Sequence, residues 1–587
     1  MHLTNFKFQK ILFALISILF STSSYFATDI TETIQFGGAG EDGASIIKTD
    51  IYDNIYVAGS FYSSISFGEF ELTSNGVNDA FLLKMNSDNA VLWAISFGSP
   101  EDENIYDFDF DSDNNIFVTG IYSGTINFDT QTLTPTADSE AFVAKFNDSG
   151  EFVWAASSQG NIGEENKSYA VSLDYSENVI ICGEYTGTIT FGESTVTALD
   201  DNDIFVAKLN NDGDWLWGQT GGSNSSYDAG EDVVCDSDDN IYVTGHFRED
   251  ATFGDIQVPE IGTVCIFLAK LTPEGNWEWV SPAGGSSIDM GFGVAIDSEN
   301  EIFVTGMFKD DANFGEHSIV GNGEYEAFIA NNIDGEWQWV VNGGSPNHEI
   351  SFGIDLDNDE NILISGRFRE TAIFGEYQVT SNGDEDAFCA KLNSNSQEWE
   401  WVVAGGGIDQ DNSLSVSSNS LNEIYFCGFF NTTATFGNTE IISNGSSDIF
   451  ICKASEPVQL EANFTFSDSI GYYPLSVEFL DLSIGNPTAW SWDFQNDGII
   501  DSNEQNPSFI YTEAGEFSVK LVTSNETEES EQIQENVIHI YENNISENLA
   551  ITPDSLIFLD MDSCFNGIEI TIENLIPLEM EFQNLEF

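Results

Sequence analysis

Residues 54–59 read NIYVAG, and the phrase returns six times more, as NIFVTG, NVIICG, NIYVTG, EIFVTG, NILISG and EIYFCG. These relatives end at Gly120, Gly183, Gly245, Gly306, Gly366 and Gly428, so successive landmark glycines, counted from Gly59, lie 61, 63, 62, 61, 60 and 62 residues apart. So even a period over seven copies is the mark of a repeat architecture, in which each unit cannot bury its apolar faces alone. Eight residues after the glycine stands Phe67, then Phe128, Phe191, Phe253, Phe314, Phe374 and Phe436. DAFLLK at residues 79–84 recurs as EAFVAK, DIFVAK, CIFLAK, EAFIAN, DAFCAK and DIFICK, and a turn then leads to Trp93, Trp154, Trp217, Trp279, Trp339 and Trp401. The phrases are short, β-branched and aromatic, and Gly, Asn and Asp punctuate them, as strands and hairpins require. Four strands per copy, repeated radially, predict an all-β fold, a seven-bladed β-propeller over residues 29–455.

The ends of the repeat region argue for a closed ring over an open solenoid. The seventh copy has its DIFICK strand at residues 448–453 but no tryptophan phrase after it. Residues 33–36, followed by Gly37 and Gly38, match the end of that phrase and the glycine pair that usually follows it. An N-terminal strand completing the last blade removes two sheet edges at once. The phrases NIYVTGHF at residues 240–247 and DIFVAKL at 203–209 resemble bacterial β-propeller repeats of the SBBP type. That resemblance implies the propeller fold and little chemistry, because the family shares an architecture more than an activity.

The 587 residues include 99 Asp and Glu against 15 Lys and Arg, for a formal net charge of −84. Apolar residues at 41% and aromatics at 13% are too many for a disordered acidic chain. The charge excludes nucleic acid, which is bound by releasing counterions to Lys and Arg, and disfavours anionic membrane surfaces. Lys7 and Lys10, an apolar run over residues 11–20 and a small-residue exit describe a secretory signal peptide over 1–27, too short to span a bilayer. The expected location is therefore secreted or at the cell surface, with no membrane span. Seven scattered cysteines without a CxxC pair indicate neither a disulfide framework nor a zinc site.

Two charged positions repeat. Asp50, Asp111, Asp174, Asp236, Asp297, Asp357 and Asn419 stand nine residues before each landmark glycine, and hairpin turns account for them, since Asp and Asn hydrogen-bond their own backbone. Lys84, Lys145, Lys208, Lys270, Lys391 and Lys453 share another position, where copy five has Asn331. Each is expected to partner carboxylates of its own or the adjacent blade. The tryptophans, doubled at Trp215/Trp217, Trp277/Trp279, Trp337/Trp339 and Trp399/Trp401, read as packing between blades, with a sugar platform as the alternative.

After Lys453 the pattern changes. Trp490, Trp492, Asp493 and Phe494, then Asn506-Pro507, then Tyr511, Gly515, Phe517, Val519 and Leu521 resemble the PKD domain over residues 457–541. The resemblance implies an immunoglobulin-like sandwich used as a spacer or binding module. Within it, Asp493, Gln495, Asp497, Asp501 and Glu504 fall at positions 1, 3, 5, 9 and 12 of a twelve-residue loop with Gly498 at 6, the spacing of a calcium loop, although the flanks read as strands. A plain acidic loop is the alternative to calcium. Residues 543–587 read as a partial β module or tail.

No catalytic constellation is legible: the few histidines form no HExxH, no GxSxG occurs, and only Arg248, Arg367 and Arg369 could serve an anionic sugar. The expected function is an exported non-catalytic interaction or scaffold protein, binding polysaccharide or extracellular protein at one propeller face. The alternative is a secreted carbohydrate-active enzyme using propeller carboxylates. A deep pocket holding carboxylates of raised pKa favours the enzyme, and an exposed aromatic patch favours the binder.

Overall fold

The computed structural model describes residues 29–542, apart from 129, 226, 345–346, 456–459, 486 and 526–528. The expected signal peptide and the expected module at 543–587 lie outside the described residues. The chain divides into two compact units on either side of residue 457. Among the described residues every regular element is a β-strand, and no helix is long and apolar enough to cross a membrane.

In the first repeat copy Asp42–Thr49 pairs with Ile55–Phe67, that strand with Phe70–Met85, and that with Val91–Phe97, all antiparallel. Copies two to six repeat this inner, second, third and outer order. The seventh contributes Asn412–Ser418, Ile424–Phe436 and Thr439–Ser455. Beside the last of these lies Asp29–Gly38, antiparallel, with Thr33 opposite Cys452 and Phe36 opposite Ile449.

The repeated residues each have a geometric task. A Cβ at Gly366 would lie 1.9 Å from the carbonyl oxygen of Ile350, and one at Gly59 2.1 Å from that of Gly43, so the landmark admits only hydrogen where the inner strand crosses it. The phenylalanine eight residues on packs against the DAF phenylalanine, with ring centroids 5.1 Å apart for both Phe67–Phe81 and Phe374–Phe388. The glycine pair ending the outer strand docks onto the next copy's second strand, as Gly285 pairs Ala312 and Gly38 pairs Ile65. Apolar layers fill the space between successive sheets. One joins Tyr56, Leu82 and Phe108, and another sets Phe67 and Phe81 of the first copy against Tyr425, Cys427 and Ile449 of the seventh and Phe36 of the strand beside it. The described cysteines are all free, and burial raises the pKa of Cys182, Cys389, Cys427 and Cys452.

The repeated aspartates close hairpins: Asp50 Oδ1 accepts from the backbone N–H of Tyr52 and of Asn54, both at 2.9 Å, and Asp53 follows with φ +61°. The repeated lysines point at those aspartates or at neighbouring acids. Lys145 Nζ lies 3.1 Å from Asp111, Lys208 2.6 Å from Asp174, Lys391 2.8 Å from Asp357 and Lys453 2.6 Å from Glu423. Lys84 reaches Asp148 in the next copy at 2.5 Å. Lys391 and Asp357 are both buried, so Lys391→Met leaves an uncompensated carboxylate and should cost about 3 kcal/mol in urea unfolding. The loss should be larger at low than at high salt; equal stability of variant and parent would contradict the pairing. The tryptophans pack between copies: Trp93, Trp154 and Trp217 donate their indole N–H to carbonyls of Asp148, Asn211 and Pro273 in the following turn.

A further repeated set is buried where one sheet meets the next. Asp42, Glu103, Asp228, Asp289, Glu349 and Asp411, with Asn166 in copy three, stand at or beside the start of the inner strands. Facing them are Asp79, Glu140, Asp203, Glu326, Asp386 and Asp448, with Cys265 in copy four. A Cβ at Gly406 would lie 2.7 Å from Asp386 Oδ1 and 2.8 Å from Asp411 Oδ2, so the outer-strand glycine leaves room for two acids. Burial first, then the facing acid, pushes Asp411 up to about 7 and Asp42 to about 6. Burial likewise holds Asp228, Asp289 and Asp386 near 6. At one junction an amide replaces an acid, and Asn166 donates to Glu140 at 3.1 Å.

Candidate functional site

Each inner strand carries one extra residue. Its pairing with the second strand slips between Ala44 and Ile46, between Ile105 and Asp107, and at the same place in the other five copies. A bulge of this kind leaves a residue unpaired and re-aims its side chain. The seven bulge residues are Ser45, Tyr106, Tyr169, Glu231, Phe292, Phe352 and Leu414, all half-buried. All seven line one cavity of about 820 Å³. A single backbone device thus presents a serine, two tyrosines, a glutamate, two phenylalanines and a leucine at one place.

Past the bulge along the inner strands the lining is acidic, with Asp107, Asp109, Asp232 and Asp355. Their carboxylates reach across to the next inner strand and accept backbone N–H groups: Val171 on Asp107 at 2.8 Å, Leu173 on Asp109 at 2.8 Å, Val294 on Asp232 at 2.8 Å and Ser418 on Asp355 at 3.0 Å. Lys48 is the cation among them, its Nζ 3.0 Å from Asp107 Oδ1. Burial disfavours that ammonium, but Asp107, Asp109 and Asp232 together hold its pKa above the ordinary value. Burial and the neighbouring Asp107 push Asp232 up to about 7, and burial pushes Asp355 to about 6.

The bulge level has two unlike sides. On one, the rings of Tyr106 and Tyr169 lie 5.5 Å apart, edge to face, beside Glu184, which Lys167 pairs at 3.0 Å and Asn202 donates to at 2.9 Å. Glu231 stands next to them, and its carboxyl meets His246 Nδ1 at 3.4 Å. Burial first, then Glu184 and Asp232, pushes Glu231 up to about 8, while burial holds His246 down near 4. On the other side Phe292 and Phe352 lie 5.3 Å apart, with the Arg367 guanidinium 5.5 Å from the Phe352 ring centre. Glu385 fixes that arginine at 3.2 Å, and also holds His348 at 3.0 Å and Arg369 at 3.4 Å. The site therefore combines acids of raised pKa with accessible aromatic rings.

In the second unit, Phe464, Phe479, Trp492, Phe494 and Tyr511 form the core, and the Tyr511 hydroxyl donates to the Phe494 carbonyl at 2.9 Å. Of the five expected calcium ligands, Asp493 ends the strand Ala489–Asp493 and the other four follow it. Asp493 is buried and accepts backbone N–H groups from Gln495 at 3.3 Å, Asp497 at 3.1 Å and Gly498 at 2.7 Å. Asp501 accepts from the Phe494 N–H at 2.9 Å, Asp497 and Glu504 are exposed, and Gln495 is half-buried. Among the described residues no three His, Cys, Asp or Glu side chains converge as metal ligands would.

The family model of the PKD domain matches residues 455–540. This segment is a PKD domain. Its two sheets, one of Phe464–Phe466, Leu475–Asp481 and Ser508–Tyr511, the other of Ile470–Tyr472, Glu529–Tyr541, Gly515–Ser524 and Ala489–Asp493, form the sandwich that the WDF and Y-T-x-x-G-x-F phrases imply. An uncharacterized WD repeat-containing protein, L264 of Acanthamoeba polyphaga mimivirus, is 23% identical over 410 residues. That match covers 56% of this chain but only 29% of the relative, and it accords with a propeller-like repeat fold ahead of the PKD domain. Among solved structures, the phage phi92 endosialidase aligns over 93% of each chain at 9% identity and a TM-score of 0.35. The four N-terminal immunoglobulin domains of Dscam1 align over 87% of this chain and 100% of that one at 8% identity and a TM-score of 0.13.

Proposed function

We propose that residues 29–455 form a seven-bladed propeller of the SBBP type, closed by Asp29–Gly38, in an exported, non-catalytic protein that binds polysaccharide or extracellular protein at the mouth of the cavity. The PKD domain serves beside it as a spacer or second binding module, at the cell surface or in secreted form. The observation that carries this reading is the convergence of all seven bulge residues on one cavity. A row free to carry Ser, Tyr, Glu, Phe or Leu is what a ligand-reading surface needs, since the landmark positions are committed to packing. The half-buried rings of Tyr106, Tyr169, Phe292 and Phe352 in the lining suit the apolar faces of sugars, and polysaccharide is the preferred occupant. A glycan array on the purified chain should give specific signals that Tyr169→Ala and Phe352→Ala each reduce at least tenfold. Signals untouched by both variants would overturn the placement.

A second reading, a carbohydrate-active enzyme, draws on Glu231, whose raised pKa keeps it a proton donor at neutral pH beside Glu184. Release of reducing ends from a bound glycan, lost in Glu231→Gln, would favour it over the binder. Calcium at Asp493, Gln495, Asp497, Asp501 and Glu504 is a separate proposal for the PKD domain. It requires the loop to exchange the amide contacts of Asp493 for the ion. Calorimetric titration at millimolar calcium should then show heat that Asp497→Ala abolishes, and no heat would end the proposal.

A further inference from the structure

Resting on the binding reading above, we propose that the cavity mouth selects glycans that carry free amines, the ammonium seated between Glu231 and Glu184 and a sugar ring lying on Tyr106 and Tyr169. Glu231 is an acid of this cluster without a lysine or arginine partner, and unlike Asp109, Asp232 and Asp355 it stands on the bulge row itself. Glu184 has Lys167 at 3.0 Å, and Asp107 has Lys48 at 3.0 Å, whereas Glu231 meets only His246, 7% exposed, whose Nδ1 makes no hydrogen bond. Among the described residues no lysine or arginine pairs with Glu231.

The groups facing Glu231 come from three strands besides its own: Tyr169 and Lys167 on the inner strand of copy three, Glu184 on its second strand, and His246 on the second strand of copy four. Asp232 adjoins it in sequence. An acid so placed escapes charge by keeping its proton, and an arriving ammonium would supply both the missing positive charge and N–H donors. Lys48 shows the same chemistry performed within the chain, an ammonium held among Asp107, Asp109 and Asp232 in the same cavity. The Tyr106–Tyr169 pair adds an edge-to-face wall suited to a sugar face and to a cation. The net charge of −84 repels polyanionic sugars from the same mouth.

The test is calorimetric titration of the full chain near pH 6 with hexamers of β-1,4-linked glucosamine, N-acetylglucosamine and glucose, and with spermidine. The glucosamine hexamer should bind about tenfold more tightly than the other two hexamers, as one partly desolvated ion pair provides. Glu231→Gln should erase that preference, Tyr169→Ala should weaken all three sugars, and parallel runs in buffers of different ionisation heat should register proton release that Glu231→Gln removes. Equal affinity for acetylated or neutral hexamers, still sensitive to Tyr169→Ala, would overturn the amine selection and leave the binding reading standing. Glucosamine binding unchanged in Glu231→Gln would mark general attraction to an acidic protein and overturn the inference. Spermidine binding as tightly as the hexamer, with the same dependence on Glu231, would overturn its sugar half. Binding of none of the hexamers would overturn both the inference and the polysaccharide reading.

Discussion

Lowering the pH from 7 to about 4.5 should stabilise the propeller-like unit against heat and urea. Buried acids at the sheet junctions are the cause. Asp42, Asp228, Asp289 and Asp386 titrate near 6 and Asp411 near 7 in the fold, against 3.8 for a free aspartate. An acid whose folded pKa exceeds its unfolded value binds more protons in the native state. Its stabilising contribution is complete below about pH 4 and is lost as the pH rises through 6 and 7. A rise of about two units corresponds to about 3 kcal/mol per group, reduced where two acids share one proton. Asp111, Asp148, Glu385 and Glu423 have lowered pKa values and act in the opposite sense, but below the ordinary carboxylate range, so they cap the gain near pH 4. A single substitution isolates the effect. Asp386 Oδ1 is buried beside Asp411 without a hydrogen-bond partner, and Asp386→Asn puts an N–H₂ donor there, making an amide–acid pair like Asn166–Glu140 with the amide on the facing side. The variant should gain about 2 kcal/mol at pH 7, gain little at pH 5 and flatten the pH profile. A profile that rises from pH 4 to 7 in the parent would contradict the assignment.

A chain beginning at residue 39 should fail to fold as a stable monomer. Asp29–Gly38 covers the free edge of Thr439–Ser455 and reaches the second strand of the first copy through Gly37 and Gly38. It places Ile30 and Phe36 in two apolar layers, and Gln35 donates to the Ile442 carbonyl at 2.6 Å and to Asp448 at 2.8 Å. Two buried large side chains at about 2 kcal/mol each, with the backbone pairing, approach on the order of 10 kcal/mol, comparable with the whole stability of a domain. The exposed edge of Thr439–Ser455 would also recruit other chains. Size-exclusion chromatography should show association and thermal melting a large loss, both reversed by a synthetic peptide of residues 29–38. An unchanged monomer with an unchanged melting temperature would contradict the role of this strand.

What the sequence made legible is what it repeats. The hairpin aspartates, the lysines at 84, 145, 208, 270, 391 and 453, and the tryptophans could be assigned tasks because one residue type returns in one slot, and the pairings of Lys208 with Asp174 and Lys391 with Asp357 follow that logic. The cavity was illegible for the opposite reason. Its bulge row runs Ser, Tyr, Tyr, Glu, Phe, Phe, Leu, inside an inner strand whose copies share few residues, and a search for sameness passes over it. The junction acids were hidden differently: in a chain with 99 acids, the first residue of DAFLLK reads as ordinary surface charge until burial is known. The spacing of Asp493 to Glu504 suggested an ion, but spacing does not tell whether a carboxylate faces an ion or backbone amides, and Asp493 as folded faces three amides.

The proposed closure of the repeat region into one ring would account for the seven bulge residues meeting at one cavity. Thr33 stands opposite Cys452, with the hydroxyl 3.7 Å from the thiol, although 419 residues separate them in the chain. Under mild oxidation Thr33→Cys should form an intramolecular disulfide with the native Cys452, detected as a linked peptide in a monomeric protein. An introduced thiol that stays free, or that links only to another molecule, would contradict the closed ring.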